Sequence, residues 1–428
     1  MERIEQTRDK AIAVGVQLNQ APGFRASMEE LRSLADACEL EVVGEVTQKA
    51  EKIITGTYMG SGKIEELKEA MTANQAGIAI FNDELSPSQI RNLEAQLDCR
   101  VIDRTLLILD IFASRAQTRE AKLQVEVARL QYMLPRLIGL RESLGRQGGG
   151  SGLKNRGAGE TKLELDRRRI EDRISALQDD LEKLVARRQV QRNQRRKNEI
   201  PVVCLVGYTN AGKSSLMNAV IRKVDPGSDK EVLAKDMLFA TLETSVRSIA
   251  LPNRRSFLLA DTVGFVSQLP HHLVKAFRST LEEVTEADLL LHVVDCSDPE
   301  MAKRIEVTNE TLRELGAGDI PSLYVYNKAD LAEGQSYPEE ADGGIYLSAW
   351  KGVGIDELVS LIGKRIFTDD KTCEVLIPFA QGRLVSYFKE NAVIHAMSHE
   401  ENGTRLEMTC RQADYDKYQD LFAAVEQA

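Results

Sequence analysis

The sequence predicts a multidomain α/β protein on three observations. Short β-branched runs alternate with amphipathic segments in residues 1–111 and again in 200–368, as a parallel sheet with crossover helices requires. Residues 112–199 carry helical periodicity, and 369–428 read as a compact βαββα unit. At 428 residues the chain also exceeds the size at which one core keeps growing. The expectation is a small parallel α/β N-terminal domain over 1–111, a long helical hairpin over 112–199, a P-loop domain over 200–368 and a small α+β C-terminal domain over 369–428.

In the first segment the strand candidates are "AIAVGVQL" from Ala11, "LEVVGEV" from Leu40, "AGIAIF" from Ala76 and "RVIDR" from Arg100. The helical stretch "SMEELRSLADA" opens with Ser27 and Glu30 at capping-box spacing. "YMGSGKIEEL", from Tyr58, has the glycines and lysine of a phosphate loop at Gly60, Gly62 and Lys63. Ile64 stands where a Mg²⁺-binding hydroxyl is needed, so a structural turn is the better reading.

Helical patterns run from Phe112 to Leu140 and from Glu160 to Asn198. In the second, Ile170, Ile174, Leu177, Leu181 and Leu184 step by four and three into one apolar seam, which an antiparallel hairpin would bury. The joining stretch "GRQGGGSGLKNRGAGE", 145–160, is too glycine-rich to predict regular structure. Around it lie Lys154, Arg156, Arg167, Arg168, Arg169, Arg187, Arg188, Arg192, Arg195, Arg196 and Lys197. They form either an electrostatic footprint for polyphosphate or a solvated face, since acidic residues interleave with them.

Bulk composition narrows the classes. The 43% hydrophobic and 29% charged content is that of a soluble globular chain. A net charge of -10 works against long-range attraction to nucleic acid, and no DNA partner is expected. Six cysteines lack metal-ligand spacing, which with the lack of an apolar leader points to free thiols in a cytoplasmic protein. Nothing approaches the roughly 18 apolar residues of a membrane span, so no integral membrane segment is expected, while a peripheral membrane visit stays open.

"GYTNAGKSS" supplies Gly207, Tyr208, Thr209, Asn210, Ala211, Gly212, Lys213, Ser214 and Ser215, between the strand "VVCLV" and the helical "SSLMNAVIRK". This is the context a phosphate loop needs: backbone N–H groups wrap the β-phosphate, Lys213 reaches the β- and γ-phosphates, and the Ser214 hydroxyl binds Mg²⁺. Asp261 and Gly264 follow the strand "SFLLA" as a DxxG pair, one for the Mg²⁺ water shell and one to sense a γ-phosphate. "NKAD" closes the strand "SLYVY". Its Asp330 can accept from guanine N1–H and N2–H₂, a donor pair adenine lacks, while Asn327 braces the loop and Lys328 lies along the base. "YLSAW" brings the Ser348 and Ala349 backbone near guanine O6, with Trp350 where a lysine is usual. Thr241 of "MLFATLETSV" is the choice for the threonine that closes over Mg²⁺ and the γ-phosphate, with Thr244 as the alternative. These ordered motifs make 200–368 a P-loop GTPase domain, with GTP or GDP as ligand and Lys213, Thr241 and Gly264 as the catalytic set.

With those residues in place, the chain resembles the HflX family of translational GTPases over nearly its whole length. The resemblance is carried by "GGGSGLKNRGAGETKLELDRRRI", by "DTVGFVSQLPHHLVKAFRSTLEEV" and by "YMGSGKIEEL". Ala158 stands where the family more often has proline. The resemblance implies a protein that binds the large ribosomal subunit in its GTP form and helps dissociate or rescue stalled ribosomes under stress. A monomer is expected, and an additional nucleotide role for the first domain stays open.

Phe265 occupies the position where many GTPases carry a water-orienting glutamine. A phenylalanine cannot hydrogen-bond water, so slow intrinsic hydrolysis accelerated by a partner is expected. Asn210 admits a second device, a K⁺ held beside the transferring phosphate, against a plain loop-stabilising role. His271 and His272 read as surface histidines rather than a general base. Two other classes stay in view: a tRNA-modification-type GTPase, which would typically carry a reactive C-terminal cysteine that "AAVEQA" lacks, and a GTP-gated protein-binding switch.

Overall fold

A computed structural model describes residues 8–18, 23–147, 153–197, 200–225, 238–239, 242, 244–251, 255–267, 270, 273, 283–341, 343–368, 370–418 and 421. For 137–147, 153–163, 187–197 and residue 413 it describes the backbone alone.

The first sheet is built from β1 (Asp9–Leu18), β2 (Leu40–Ala50), β3 (Ile78–Phe81) and β4 (Arg100–Asp103), all parallel, in the order β2-β1-β3-β4. Side chains alternate across a strand, so a sheet covered on both faces divides its residues between two cores. Ile12, Val14, Val16, Ala79 and Phe81 face one core, with α2 (Ser61–Asn74) and α3 (Pro87–Leu97) against it. Ala11, Ala13, Ile78 and Ile80 face the other, under α1 (Phe24–Ala37) and α4 (Arg104–Arg115).

That second core is not the property of the first domain alone. Phe239, Leu242, Val263, Val266 and Leu273, from the segments flanking the phosphate site, are buried in the same cluster. Phe239 meets Phe112 edge to face, with ring centroids 4.8 Å apart.

Several sequence expectations shift. Helix α1 starts at Phe24 after Gly23, which has φ +79° and makes no side-chain cap, so Ser27 and Glu30 lie within the helix and do not form its capping box. Both are used elsewhere: Ser27 Oγ donates to Asn82 Oδ1 at 3.2 Å, and Glu30 faces the nucleotide loop. The helical stretch expected from Phe112 begins earlier, within α4, and breaks at Ala116, whose extended backbone ends that helix before α5 (Arg119–Gln147).

The largest correction concerns the glycine-rich stretch. Helix α5 runs to Gln147 and α6 spans Leu153–Lys197, so 145–147 and 153–160 are helical rather than irregular. A glycine inside a helix costs only about 1 kcal/mol relative to alanine, and Gly157 and Gly159 stand among residues that carry the helix across them. The α5–α6 seam holds four of the five expected residues: Ile174 and Leu177 are buried with Val127, and Ile170 and Leu181 pack beside them, while Leu184 falls outside this cluster. Among the basic residues with described side chains, Arg167 pairs with Glu171 at 3.1 Å and Arg169 with Asp166 at 3.3 Å. The side chains of Lys154, Arg156, Arg187, Arg188, Arg192, Arg195, Arg196 and Lys197 lie outside the described set.

The second sheet has the order β10-β11-β9-β8-β5-β7-β6. Its strands are β5 (Val202–Val206), β6 (Ser245–Ala250), β7 (Ser256–Asp261), β8 (Leu289–Asp295), β9 (Ser322–Asn327), β10 (Glu339–Ala341) and β11 (Gly344–Tyr346). The pairs within β11-β9-β8-β5-β7 are parallel, and the edge strands β6 and β10 are antiparallel to their neighbours. Helices α7 (Lys213–Val224) and α9 (Ile355–Ile366) bury one face, and α8 (Met301–Glu314) contributes Leu312 to the other.

The last unit is a three-stranded antiparallel sheet, β12-β14-β13, from β12 (Lys371–Pro378), β13 (Val393–Glu400) and β14 (Gly403–Cys410), with α10 (Gly382–Asn391) and α11 (Gln412–Lys417). β13 and β14 form a hairpin that turns through Glu401 and Asn402. Gly403 opens β14, because a Cβ there would sit 2.2 Å from the Ile377 carbonyl oxygen of β12.

Candidate active site

The carboxyl ends of the parallel strands in the second sheet gather the motif residues. β5 leads into 207–212, β7 into 261–264, β9 into 327–330 and β11 into 348–349. β7 and β8 lie on opposite sides of β5, so the loop after β5 opens at a switch point of the sheet, where α/β folds place ligands.

The loop glycines are required sterically. Gly207 has φ +143°, and a Cβ there would sit 2.2 Å from the Val293 carbonyl oxygen. Gly212, at φ +92°, would place one 2.2 Å from Asn327 Nδ2. Gly264 leaves room for Lys213, whose Nζ would stand 2.9 Å from an added Cβ.

Lys213 is the first residue of α7, and its Nζ donates to the carbonyls of Gly207 at 3.0 Å and Tyr208 at 2.8 Å. Burial pulls its ammonium down to about 8 from 10.5, against the opposing charge of Asp261. The Ser214 hydroxyl donates to Asp261 Oδ2 at 2.6 Å. Two hard oxygen donors side by side suit Mg²⁺, an ion that takes few protein ligands and completes its shell with phosphate and water. Among the described residues no group of three or more His, Cys, Asp or Glu could hold a metal ion.

At the base end, Asn327 bridges two loops. Its Nδ2 donates to the Ala211 carbonyl at 2.9 Å, and its Oδ1 accepts the Ala349 N–H at 3.0 Å. Ser348 Oγ donates to Asp330 Oδ1 at 2.7 Å, which aims the carboxylate, and Lys351 Nζ stands 3.9 Å from its other oxygen. Lys328 Nζ is held by Asp295 at 2.7 Å. Trp350 is 88% exposed beside this loop.

Phe265 points away from the site. Its ring is buried among Cys204, Val206, Ala260, Val284 and Leu290, while its N–H donates to the Gly207 carbonyl at 3.2 Å and its carbonyl accepts the Thr209 N–H at 2.7 Å. Asn210 sits exposed at the loop crest with φ +60°. Ser215 follows in the first turn of α7. Thr241, His271 and His272 lie outside the described residues.

Sequence reasoning missed the contribution of the first domain. The Tyr208 hydroxyl donates to the Glu30 carboxylate of α1, accepts the Ser267 N–H at 2.7 Å and lies 2.6 Å from Ser267 Oγ. Arg104, 2% exposed at the start of α4, binds Glu30, Asn82 Oδ1 at 3.0 Å and the Ser267 carbonyl at 3.1 Å. The stretch at Gly60 is the turn the sequence suggested: Gly60 caps α2 and donates its N–H to Gln48 Oε1 at 3.0 Å.

A parallel sheet whose strand ends carry a phosphate loop, a DxxG turn, an aspartate aimed by the neighbouring loop and a brace between them defines a P-loop GTPase. Residues 25–113 match the family described as GTP-binding GTPase N-terminal, 115–195 its middle region, and 202–328 the family described as 50S ribosome-binding GTPase. The chain is 46% identical over 408 residues to GTPase HflX of Caldanaerobacter subterraneus subsp. tengcongensis, covering 95% of this chain and 93% of that one. It is 40% identical over 401 residues to GTPase HflX of Escherichia coli K12, covering 92% of each. A solved GTP-binding protein from Sulfolobus solfataricus in complex with GDP is 25% identical, covering 83% of this chain and 98% of that one, with a TM-score of 0.43. The chain belongs to the HflX family of GTPases, and it is a GTP hydrolase. No helix among the described residues is long and apolar enough to cross a membrane.

Proposed function

We propose that this GTPase binds the large ribosomal subunit in its GTP form, promotes dissociation or rescue of ribosomes under stress in the cytoplasm, and hydrolyses GTP at a rate the ribosome raises. In this reading 207–215 cradle the phosphates, with Lys213 on the β- and γ-oxygens. Ser214, Asp261 and Thr241 serve Mg²⁺, and Gly264 offers its N–H to the γ-phosphate. Asp330, Asn327, Lys328, Ser348 and Ala349 select guanine. Mg²⁺ supplies charge neutralisation at the phosphates.

One observation carries the need for an outside partner. The ring at position 265 is locked in the apolar core and its main chain is tied to the phosphate loop, so this position offers the attacking water no side-chain donor or acceptor. Phosphoryl transfer depends on alignment and charge stabilisation, and supplied help can be worth about 10⁵-fold. The match of 202–328 to a family described as ribosome-binding supports the large subunit as its source.

The test is co-sedimentation with large subunits in a non-hydrolysable GTP analogue against GDP, together with single-turnover hydrolysis with and without subunits. Analogue-dependent binding and a rise of at least a hundredfold in rate are expected, on the order of what positioning by a partner provides. Equal sedimentation in both nucleotides with an unchanged rate sinks the reading. K⁺ beside Asn210 is a separate element, removed by equal turnover in KCl and NaCl at matched ionic strength.

A further inference from the structure

Outside the nucleotide site, the C-terminal sheet holds a pair of thiols. Register pairs Lys371 with Cys410 and Cys373 with Met408, so Cys373 and Cys410 are diagonal neighbours on one face, since residues two apart along a strand share a face. Their sulfurs lie 3.7 Å apart and both are free. Each sits near a strand end, Cys373 two residues into β12 and Cys410 at the last position of β14.

The gap to a bonded separation of about 2.05 Å is one that side-chain rotation and a small shift of the strand ends can close. Cys410 is fully buried and Cys373 is half-buried, so Cys373 is the more accessible residue of the pair.

We propose that Cys373 and Cys410 form a peroxide-oxidisable dithiol, with Cys373 as the attacking sulfur and Cys410 as the resolving one. The Cys373 thiol gives its proton to solvent and its thiolate attacks the terminal oxygen of a hydroperoxide: an S–O bond forms, the O–O bond breaks, and the alkoxide or hydroxide that leaves takes a proton back from solvent to become an alcohol or water. Cys410 then attacks the sulfenic sulfur, the S–O bond breaks, and its oxygen leaves as water with the Cys410 proton. Two electrons pass from the sulfur pair to the peroxide and one disulfide remains.

The other thiols lack this arrangement. Burial pushes Cys38 up to about 12 and both Cys99 and Cys296 up to about 11, and it raises Cys204 as well. The hydrogen bond from Cys410 instead draws Cys373 down, which favours the nucleophilic thiolate.

The location gives the bond a consequence. Asp370, one residue before β12, holds the buried Arg255 guanidinium at 2.7 Å, and Arg255 lies over the Phe367 ring at 5.3 Å. Arg255 stands just before β7, the strand that ends at Asp261, and its charge is felt at Cys410. A disulfide would pin β12 to β14 where the C-terminal sheet joins the GTPase sheet.

The full chain, reduced and then exposed to hydrogen peroxide, is blocked with an alkylating agent and mapped by mass spectrometry. A peptide pair linking Cys373 to Cys410, short of two hydrogens and restored by dithiothreitol, is expected before any other cysteine reacts. In Cys410→Ala the sulfenic acid should persist on Cys373 and be trapped by dimedone. In Cys373→Ser the linked pair and the dimedone adduct should both vanish, with GDP binding retained as the control for folding. Oxidation of Cys38, Cys99 or Cys296 ahead of Cys373, or a wild-type chain with no 373–410 link after full reaction, overturns the proposal.

Discussion

The carbonyl of Phe265 accepts the Thr209 N–H at 2.7 Å, so the switch main chain closes directly onto the phosphate loop while its side chain turns into the core. The usual repair for a missing water-orienting residue, Phe265→Gln, should therefore fail. The amide would replace a buried ring among apolar side chains, costing at least about 3 kcal/mol in lost packing and unpaired polar groups. A lower melting temperature and no gain in the single-turnover rate without ribosomes are expected. A rate increase in the variant would show that the side chain reaches the attacking water.

Lys213 sets a pH dependence whose sign follows from its burial. Its native value of about 8 lies below the ordinary 10.5, so between those values the unfolded chain holds a proton that the native chain lacks. The nucleotide-free protein should gain stability as pH rises through that window. Phosphate beside the ammonium restores the proton, so GTP binding should take one up and weaken above pH 8 by up to about tenfold per unit. Calorimetry at pH 8.5 in buffers of different ionisation enthalpy checks the uptake, and Lys213→Ala should abolish it along with about 1.5–3 kcal/mol or more of affinity.

The Arg104–Glu30–Tyr208–Ser267 network couples the first domain to the segment after DxxG. Burial, and then the Glu30 charge, holds the Tyr208 phenol well above its usual range, so it stays a donor. Arg104→Met should cost about 3–5 kcal/mol, because it leaves the Glu30 carboxylate without its main counter-charge. Amide exchange over 263–267 should quicken in the same variant. The double change with Glu30→Met should recover part of the loss. Unchanged exchange at 263–267 would show that Arg104 does not restrain this segment.

Particular residues show how much of this was legible. The placement of Gly207, Gly212, Lys213, Asp261, Asn327 and Asp330 at strand ends could be read from the chain, because each stands in a short motif directly after a strand-like run, and at Gly207 and Gly212 a Cβ has no room. The start of α1 could not, because Gly23 begins that helix without the side-chain cap a sequence advertises. Helix over 153–160 was hidden by glycines whose individual cost is small against the length of α6. The contacts of Phe112 with Phe239 and of Glu30 with Tyr208 join segments more than a hundred residues apart, and local periodicity holds no record of such pairs.

If Asp330 selects the base, as proposed above, a single atom exchange should redirect that choice. Ser348 donates to one of its oxygens, leaving the carboxylate aimed where the N1–H and N2–H₂ of guanine would meet it. In Asp330→Asn the amide N–H₂ would face the guanine N2–H₂, donor against donor, whereas xanthine presents a carbonyl at C2. GTP affinity should fall by at least about a hundredfold, the scale of an unpaired buried polar contact, and xanthosine triphosphate should bind more tightly to the variant than to the native chain. Because Trp350 is the chain's one tryptophan and stands 88% exposed one residue past Ala349, its emission serves to follow both titrations. Retention of GTP affinity by the variant would mean that the base is selected elsewhere.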